Sequence, residues 1–203
     1  MTTPIALIDY GAGNLASVRK GLVAAGAEVF IPTDPSDVSR AAGIVVPGVG
    51  HFAATAALTD PWRAAIQAAI RARRPLLGIC LGQQWLFEGS AEAPGVPGLG
   101  VLNGHCDRLT GTEKVPHVGW NTVTFRRQST LLNGLADGSY VCFTHTYAAP
   151  IGRECVGITS SGCEFASVVE QDRVFGVQFH PEKSGRDGIR LLENFVAIAR
   201  QAG

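Results

Sequence analysis

The sequence predicts an α/β fold, an open, mostly parallel sheet flanked by helices, with a β-rich second half carried on the same sheet. Three observations predict it. Short apolar runs alternate with helical patterns from the N-terminus to about Gly89, the order of parallel strands joined by crossover helices. Those runs are almost unbroken by polar residues, as strands buried on both faces require. The chain is also 46% hydrophobic and only 17% charged over 203 residues, a composition suited to one domain, residues 1–203, with a substantial core.

Ile5 to Asp9 reads as the first strand, Gly11 to Ala16 as a turn into a helix reaching about Ala25, and Ala27 to Ile31 as a second strand. The Gly11-Ala12-Gly13-Asn14-Leu15-Ala16 turn matches a dinucleotide-binding fingerprint, which also asks for an acid at the end of the second strand. Here that strand ends Ile31-Pro32-Thr33, and Asp34 is placed to cap a helix with Pro35 in its first turn. Gly43 to Val46 is the third strand, stopped by Pro47-Gly48-Val49-Gly50, a glycine-rich turn able to offer bare backbone N–H groups to an anion. Asp60 is expected to cap a helix with Pro61 at its first position, where Trp62, Ile66, Ala69 and Ile70 recur at helical spacing.

Next comes Gly78-Ile79-Cys80-Leu81-Gly82-Gln83-Gln84, between the apolar run Pro75 to Leu77 and a helix expected over Trp85 to Glu88 with Gly89 as its stop. A cysteine between two glycines at a strand-to-helix turn has the layout of a nucleophile elbow, with sulfur in place of the serine oxygen. The helix N-terminus favours the thiolate, the reactive form. Packing of a small buried residue is the alternative for Cys80 taken alone. After the Gly95 to Leu99 loop the pattern turns to short strands: Asn121 to Phe125, Ser139 to Phe143, Cys155 to Ser160, Glu164 to Glu170 and Val174 to Phe179. A helix from near Arg186 closes the chain, with Ile189, Leu192, Phe195, Val196 and Ala199 on its buried face.

Phe179-His180-Pro181-Glu182 ends the last strand. Residues two apart at a strand end share a side, which brings His180 and Glu182 within reach of each other, and Pro181 stops the ladder. A base oriented by a carboxylate supplies the second and third members of a triad whose first is Cys80.

Seventeen basic residues balance seventeen acidic ones, so no global field recruits nucleic acid or a membrane surface. Arg71, Arg73 and Arg74 interrupt the longest apolar candidate for a membrane span. Met1-Thr2-Thr3-Pro4 has no basic n-region or signal-type cleavage site, and the expectation is a soluble cytoplasmic protein. Five cysteines (80, 106, 142, 155 and 163) are an odd number that argues against a disulfide framework. Cys142 and His145, three apart on a strand, point to opposite faces, which disfavours zinc. No metal and no cofactor are expected, and the other four cysteines are read as packing residues.

The chain resembles the class I, triad-type glutamine amidotransferases from end to end. Pro47 to Gly50, Gly78 to Gln84 and Gly176 to Glu182 carry that resemblance. Ile8 to Val18, Lys114-Val115-Pro116-His117-Val118-Gly119-Trp120-Asn121 and Phe143-Thr144-His145-Thr146-Tyr147 narrow it to the glutaminase subunits of imidazole glycerol phosphate synthases. Gln83 and Val118 stand where that subfamily often has Met; neither replaces a reacting group.

The resemblance implies conversion of L-glutamine to glutamate and ammonia. Cys80 is the implied nucleophile, His180 the acid–base and Glu182 its orienting carboxylate. Leu81 N–H and a donor from Val49 or Gly50 form the implied oxyanion hole, with Gly48 and Gln84 at the substrate. It further implies a heterodimer with a synthase (cyclase) subunit, a (β/α)₈ barrel that takes up the ammonia in histidine biosynthesis. Asn14, Trp120 and Lys183 resemble the face that this subfamily docks against its synthase; read by themselves they are a helix cap, a packed aromatic and a solvated lysine. A free-standing cysteine hydrolase with the same triad and a nucleotide-binding module at Gly11 to Ala16 stay open as alternatives, as does, within the family, the glutaminase of pyridoxal phosphate synthase, which the Lys114 to Asn121 stretch disfavours.

Overall fold

A computed structural model describes residues 3–111 and 113–201; Met1 and Thr2, at the N-terminus read for a signal sequence, lie outside them. Strands β1 (Pro4–Leu7), β2 (Glu28–Phe30), β3 (Gly43–Gly48) and β4 (Leu76–Cys80) come first. With them go helices α1 (Leu15–Ala24), α2 (Asp60–Arg71) and α3 (Leu81–Trp85). The second half contributes β5 (Gly89–Ser90), β6 (His105–Arg108), β7 (His117–Phe125), β8 (Ser139–His145), β9 (Tyr147–Ala148), β10 (Cys155–Ser161), β11 (Cys163–Gln171), β12 (Val174–Val177) and helix α4 (Gly185–Arg200).

Nine strands form one sheet in the order β2-β1-β3-β4-β12-β11-β10-β7-β8. Pairing is parallel from β2 through β12 and antiparallel from there to β8. The β-rich half therefore continues the parallel sheet across β12. A second sheet of three short strands, β5-β6-β9, sits apart from it.

Alternate residues of the parallel strands feed two separate cores. Ile5, Leu7, Val45, Leu77 and Ile79 pack with Val18 and Leu22 of α1 and with Leu191, Leu192, Phe195 and Val196 of α4. Ala6, Ile8, Ile44, Val46 and Leu76 pack on the other face with Ile66 and Ala69 of α2 and Trp85 of α3. Burial on both faces is the physical reason these strands read as continuous apolar runs.

Several boundaries differ from the sequence reading. Pro47 and Gly48 do not stop β3: they stay in the ladder, in register with Ile79 and Cys80. Thr59, without a side-chain hydrogen bond, is the residue ahead of α2, and Asp60 is already helical. Asp34 does cap, accepting from Ser36 N at 2.9 Å, but the segment it caps is a 3-10 helix, Pro35–Arg40, rather than an α-helix.

The helix after the elbow is also displaced. It begins at once, at Leu81, and ends at Trp85, whereas Gly89 belongs to β5. The 98–102 loop explains this, because Leu99, Val101 and Gly98 N–H groups bond the carbonyls of Trp85, Leu86 and Glu88. A continuing helix would need those carbonyls for itself. Finally, β12 ends at Val177, two residues short of Phe179, and Pro181–Lys183 form a 3-10 turn.

Candidate active site

Topology gathers the site at one end of the sheet. The parallel strands β1, β3, β4 and β12 all finish there, and the alternation β11, β10, β7, β8 returns the start of β7 and the end of β8 to the same end. Open α/β sheets place ligands beyond the carboxyl ends of their strands. Here a cavity of about 280 Å³ lies there, lined by residues that include Gly50, Cys80, Leu81, Gln84, Thr144 and Tyr147.

Cys80 is the last residue of β4 and has φ +54° and ψ −108°, outside the regions an L-residue ordinarily occupies. The glycines on either side let it be held so. A Cβ on Gly78 would fall 2.5 Å from Gly82 O, and one on Gly82 would run into the carbonyl oxygen of Val46. Only glycine lets β3, β4 and the first turn of α3 approach this closely. The cysteine is 4% exposed, with Thr144 O 3.8 Å from Sγ on one side and Gln178 Nε2 3.6 Å away on another.

His180 and Glu182 meet as expected, His180 Nδ1 lying 2.9 Å from Glu182 Oε1 with both side chains buried. The contact is made by the 3-10 turn rather than by strand alternation, since the strand has already ended. Ser184, absent from the sequence reading, holds that turn: its Oγ donates to His180 O at 2.7 Å and accepts from Cys142 N at 2.9 Å. His180 N in turn donates to Cys142 O at 2.9 Å. The imidazole is thereby tied to β8 as well as to β12.

His180 Nε2 makes no well-aligned hydrogen bond, yet the Cys80 sulfur is close enough to govern its charge. Burial pushes the imidazole pKa down, but hydrogen bonding and negative charge from Cys80 and Glu182 outweigh it and raise the pKa to about 10. The buried Tyr10 hydroxyl, unpartnered, is pushed up from the ordinary tyrosine value by burial first and then by the charge of Cys80.

A second, neutral set of groups forms another side of the site. Asn121 Nδ2 bonds Ser160 O at 2.9 Å and His117 Nε2 at 3.2 Å. An amide nitrogen only donates, so His117 carries its proton on Nδ1 and gives it to His145 Nε2 at 3.0 Å. His145 then donates from Nδ1 to Tyr147 O at 3.0 Å. Burial, outweighing that bond and reinforced by the neighbouring His117 and His180, lowers His145 to about 3. His117 is likewise lowered by burial. Sequence reading took both histidines as family markers and weighed His145 besides, with Cys142, for zinc; nothing in their spacing reveals a shared chain.

The turn and loop residues divide between the cavity wall and its support. Leu81 and Gly50 line the cavity, and Gly50 has φ +92°. Gly48 is buried in β3 against the Tyr10 hydroxyl and Leu81, and neither it nor Val49 lines the cavity. Gln84 lines it while donating to Tyr147 O at 2.7 Å. Glu92, missed in the sequence because it sits in an unpatterned loop, also lines it and accepts from Phe52 N at 2.7 Å.

Asn14 caps α1 through a 3.2 Å bond from Ser17 N, and Lys183 is exposed in the turn after His180. Trp120 lies within β7, opposite Cys142, and is 57% exposed beside exposed Val118 and Tyr140. It is an exposed strand residue rather than a packed aromatic. Cys142 and His145 share β8, and among the described residues no cluster of His, Cys, Asp or Glu could hold a metal ion. No helix among them is long and apolar enough to cross a membrane.

Residues 6–199 match the family model for glutamine amidotransferase class-I. A protein of Thermococcus kodakarensis described as imidazole glycerol phosphate synthase subunit HisH is 50% identical over 94% of this chain and 98% of its own length. A Moorella thermoacetica protein of the same description is 47% identical over 98% and 97%. Among solved structures, PurLQS from Thermotoga maritima superposes with a TM-score of 0.77 at 17% identity, over 97% of this chain and 99% of that one. That last likeness concerns the fold alone.

Proposed function

The chain belongs to the class I glutamine amidotransferases, and from that membership and its similarity to HisH proteins we infer that it is the glutaminase subunit of an imidazole glycerol phosphate synthase. It hydrolyses L-glutamine to glutamate and ammonia and serves histidine biosynthesis. Residues 1–203 act as one amidotransferase domain, in the cytoplasm.

The observation that carries the site assignment is Cys80 in the wall of the cavity, with the buried His180–Glu182 pair close enough to its sulfur to carry charge. Cys80 enters as thiolate and His180 as imidazolium, each favouring the charge of the other. The sulfur attacks the side-chain amide carbon of glutamine and its charge passes to the carbonyl oxygen. Leu81 N–H and a donor from Val49 or Gly50 receive that oxyanion. With the thiolate consumed, His180 loses its nearest anion and becomes the stronger acid. It protonates the departing nitrogen, the C–N bond breaks, and ammonia leaves a thioester. His180, now neutral, takes a proton from water as its hydroxyl adds to the thioester carbon; the C–S bond then breaks, releasing glutamate and restoring the thiolate–imidazolium pair. Glu182 keeps the imidazole oriented throughout. Gln84 and the Glu92 carboxylate are suited to the amino-acid end of the substrate, with Gly48 setting the strand that carries the turn.

Ammonia is passed to a partner subunit, for which we propose a (β/α)₈ barrel in a heterodimer with this chain. The exposed apolar stripe of Val118, Trp120 and Tyr140, with Asn14 and Lys183 at the same sheet end, is suited to docking it. Partner binding raises a slow intrinsic glutaminase rate. Trp120→Ala is expected to weaken subunit affinity by more than ~1 kcal/mol as an aromatic anchor, and Lys183→Ala to weaken it in a salt-dependent way. Titration of labelled subunit measures both; affinities unchanged in both variants sink the surface.

The catalytic assignment is tested with a diazoketone analogue of glutamine and peptide mapping. Cys80 alone among the five cysteines is expected to be labelled. First modification of another cysteine overturns it.

A further inference from the structure

Gln178 has no part in the mechanism above, yet it is one of the polar groups against the nucleophile. It follows β12, is fully buried, and its backbone N–H is fixed on Ser167 O at 2.9 Å. Its carboxamide lies between Gln84 and Cys80: Oε1 is 3.1 Å from Gln84 Nε2, and Nε2 is 3.6 Å from Cys80 Sγ.

The orientation of that amide is dictated by its neighbours. Tyr147 O is a carbonyl and only accepts, so the group Gln84 presents to it at 2.7 Å must be its amide nitrogen. The same nitrogen is the atom facing Gln178, which therefore answers with its oxygen. Both amides are set by this chain, and the nitrogen of Gln178 is left pointing at sulfur.

Besides His180 and the Tyr10 hydroxyl, sulfur thus has a donor at Gln178 and an acceptor at Thr144 O, 3.8 Å away. The carbonyl suits a thiol and opposes a thiolate. The amide N–H does the reverse, since a hydrogen bond to an ionised acceptor is stronger than one to a neutral group. We propose that Gln178 stabilises the Cys80 thiolate by donating its side-chain N–H to the sulfur, and that Gln84 holds it in that orientation. The proposal rests on the reading of Cys80 as the nucleophile. It gives Gln84 a second task besides facing the substrate. Filling of the cavity at Gln84 is thereby linked to the poise of the sulfur behind it.

The experiment is the pH dependence of Cys80 alkylation by iodoacetamide in the full chain, resolved from the other cysteines by peptide mapping. Gln178→Met keeps bulk and removes the donor; Gln178→Glu sets a carboxylate against the sulfur. The midpoint is expected to rise by about one pH unit in the first variant and further in the second, with the pH profile of kcat/KM moving alongside. An unmoved midpoint in folded variants overturns the proposal. Should neither variant fold, the side-chain amide signals of Gln178 in isotope-labelled native protein are followed instead. They are expected to shift with the Cys80 midpoint and again on alkylation; signals indifferent to both overturn it. Retained glutaminase activity in Cys80→Ala would instead refute the nucleophile, an outcome distinct from an inactive Cys80→Ala accompanied by an unmoved midpoint.

Discussion

Two histidine pairs stand at the same end of the sheet, both buried, and their environments drive them in opposite directions. His180 is raised to about 10, while His145 is lowered to about 3. Burial lowers each of them. What separates the pairs is the partner: His180 faces a carboxylate and a sulfur, whereas His145 faces a neutral imidazole and a carbonyl. The first ring has an unpartnered nitrogen to work with; the second has both nitrogens engaged. Buried histidine is thus a cation where anions converge and a neutral strut where only dipoles do.

Removing the anion on the sulfur breaks the comparison most severely. Cys80→Ala is expected to reduce ammonia release from glutamine to background while the fold persists, because no second thiol lines the cavity among the described residues. In the same variant the His180 titration, followed by NMR, is expected to fall toward the ordinary value, with His145 unmoved.

His180→Ala comes next. Loss of the acid–base is expected to cost ~10²–10⁴-fold in kcat, measured as glutamate formation. Glu182→Gln is expected to be milder, because the amide still holds the ring but no longer supports its charge. Full activity in His180→Ala would end the triad reading.

On the neutral side, His117→Phe is expected to preserve the stacking on Phe143, whose ring centroid lies 4.8 Å away, while leaving His145 Nε2 without its donor. An unsatisfied buried group costs about 1–3 kcal/mol, to be read from urea unfolding. The effect on kcat is expected to be small beside that of His180→Ala. A catalytic loss equal to that of His180→Ala would show that the two pairs act as one.

The gentlest test is the pH dependence of stability. His180, raised in the fold, contributes stability that is complete below about 6.5 and is lost as the pH rises through about 10. His145, lowered in the fold, contributes stability that is complete above about 6.5 and is lost as the pH falls toward about 3. Unfolding curves across that range are expected to show both arms, and Cys80→Ala is expected to shrink the alkaline arm alone.

Much of this was legible in the residues themselves. The apolar runs at Ile5, Gly43 and Leu76 required strands buried twice over, because polar side chains find no water on either face. Gly78 and Gly82 around Cys80 announced a turn too tight for a Cβ, and His180-Pro181-Glu182 announced a base and an acid joined by a residue that ends a ladder. These are short-range facts, fixed within a few bonds of the residues concerned.

Tertiary structure alone decided the rest. Where α3 stops depends on the carbonyls of Trp85 to Glu88 bonding a loop ten or more residues ahead. The His180 turn depends on Ser184 and on the backbone of Cys142, some forty residues away. Glu92, Gln178 and the His117–His145 pair have no shared spacing to reveal them. They meet because an antiparallel extension folds back to the end of the sheet where the parallel strands finish. Side-chain chemistry names which groups can react; the pairing of distant strands decides which of them share a cavity, and so which histidine carries the charge.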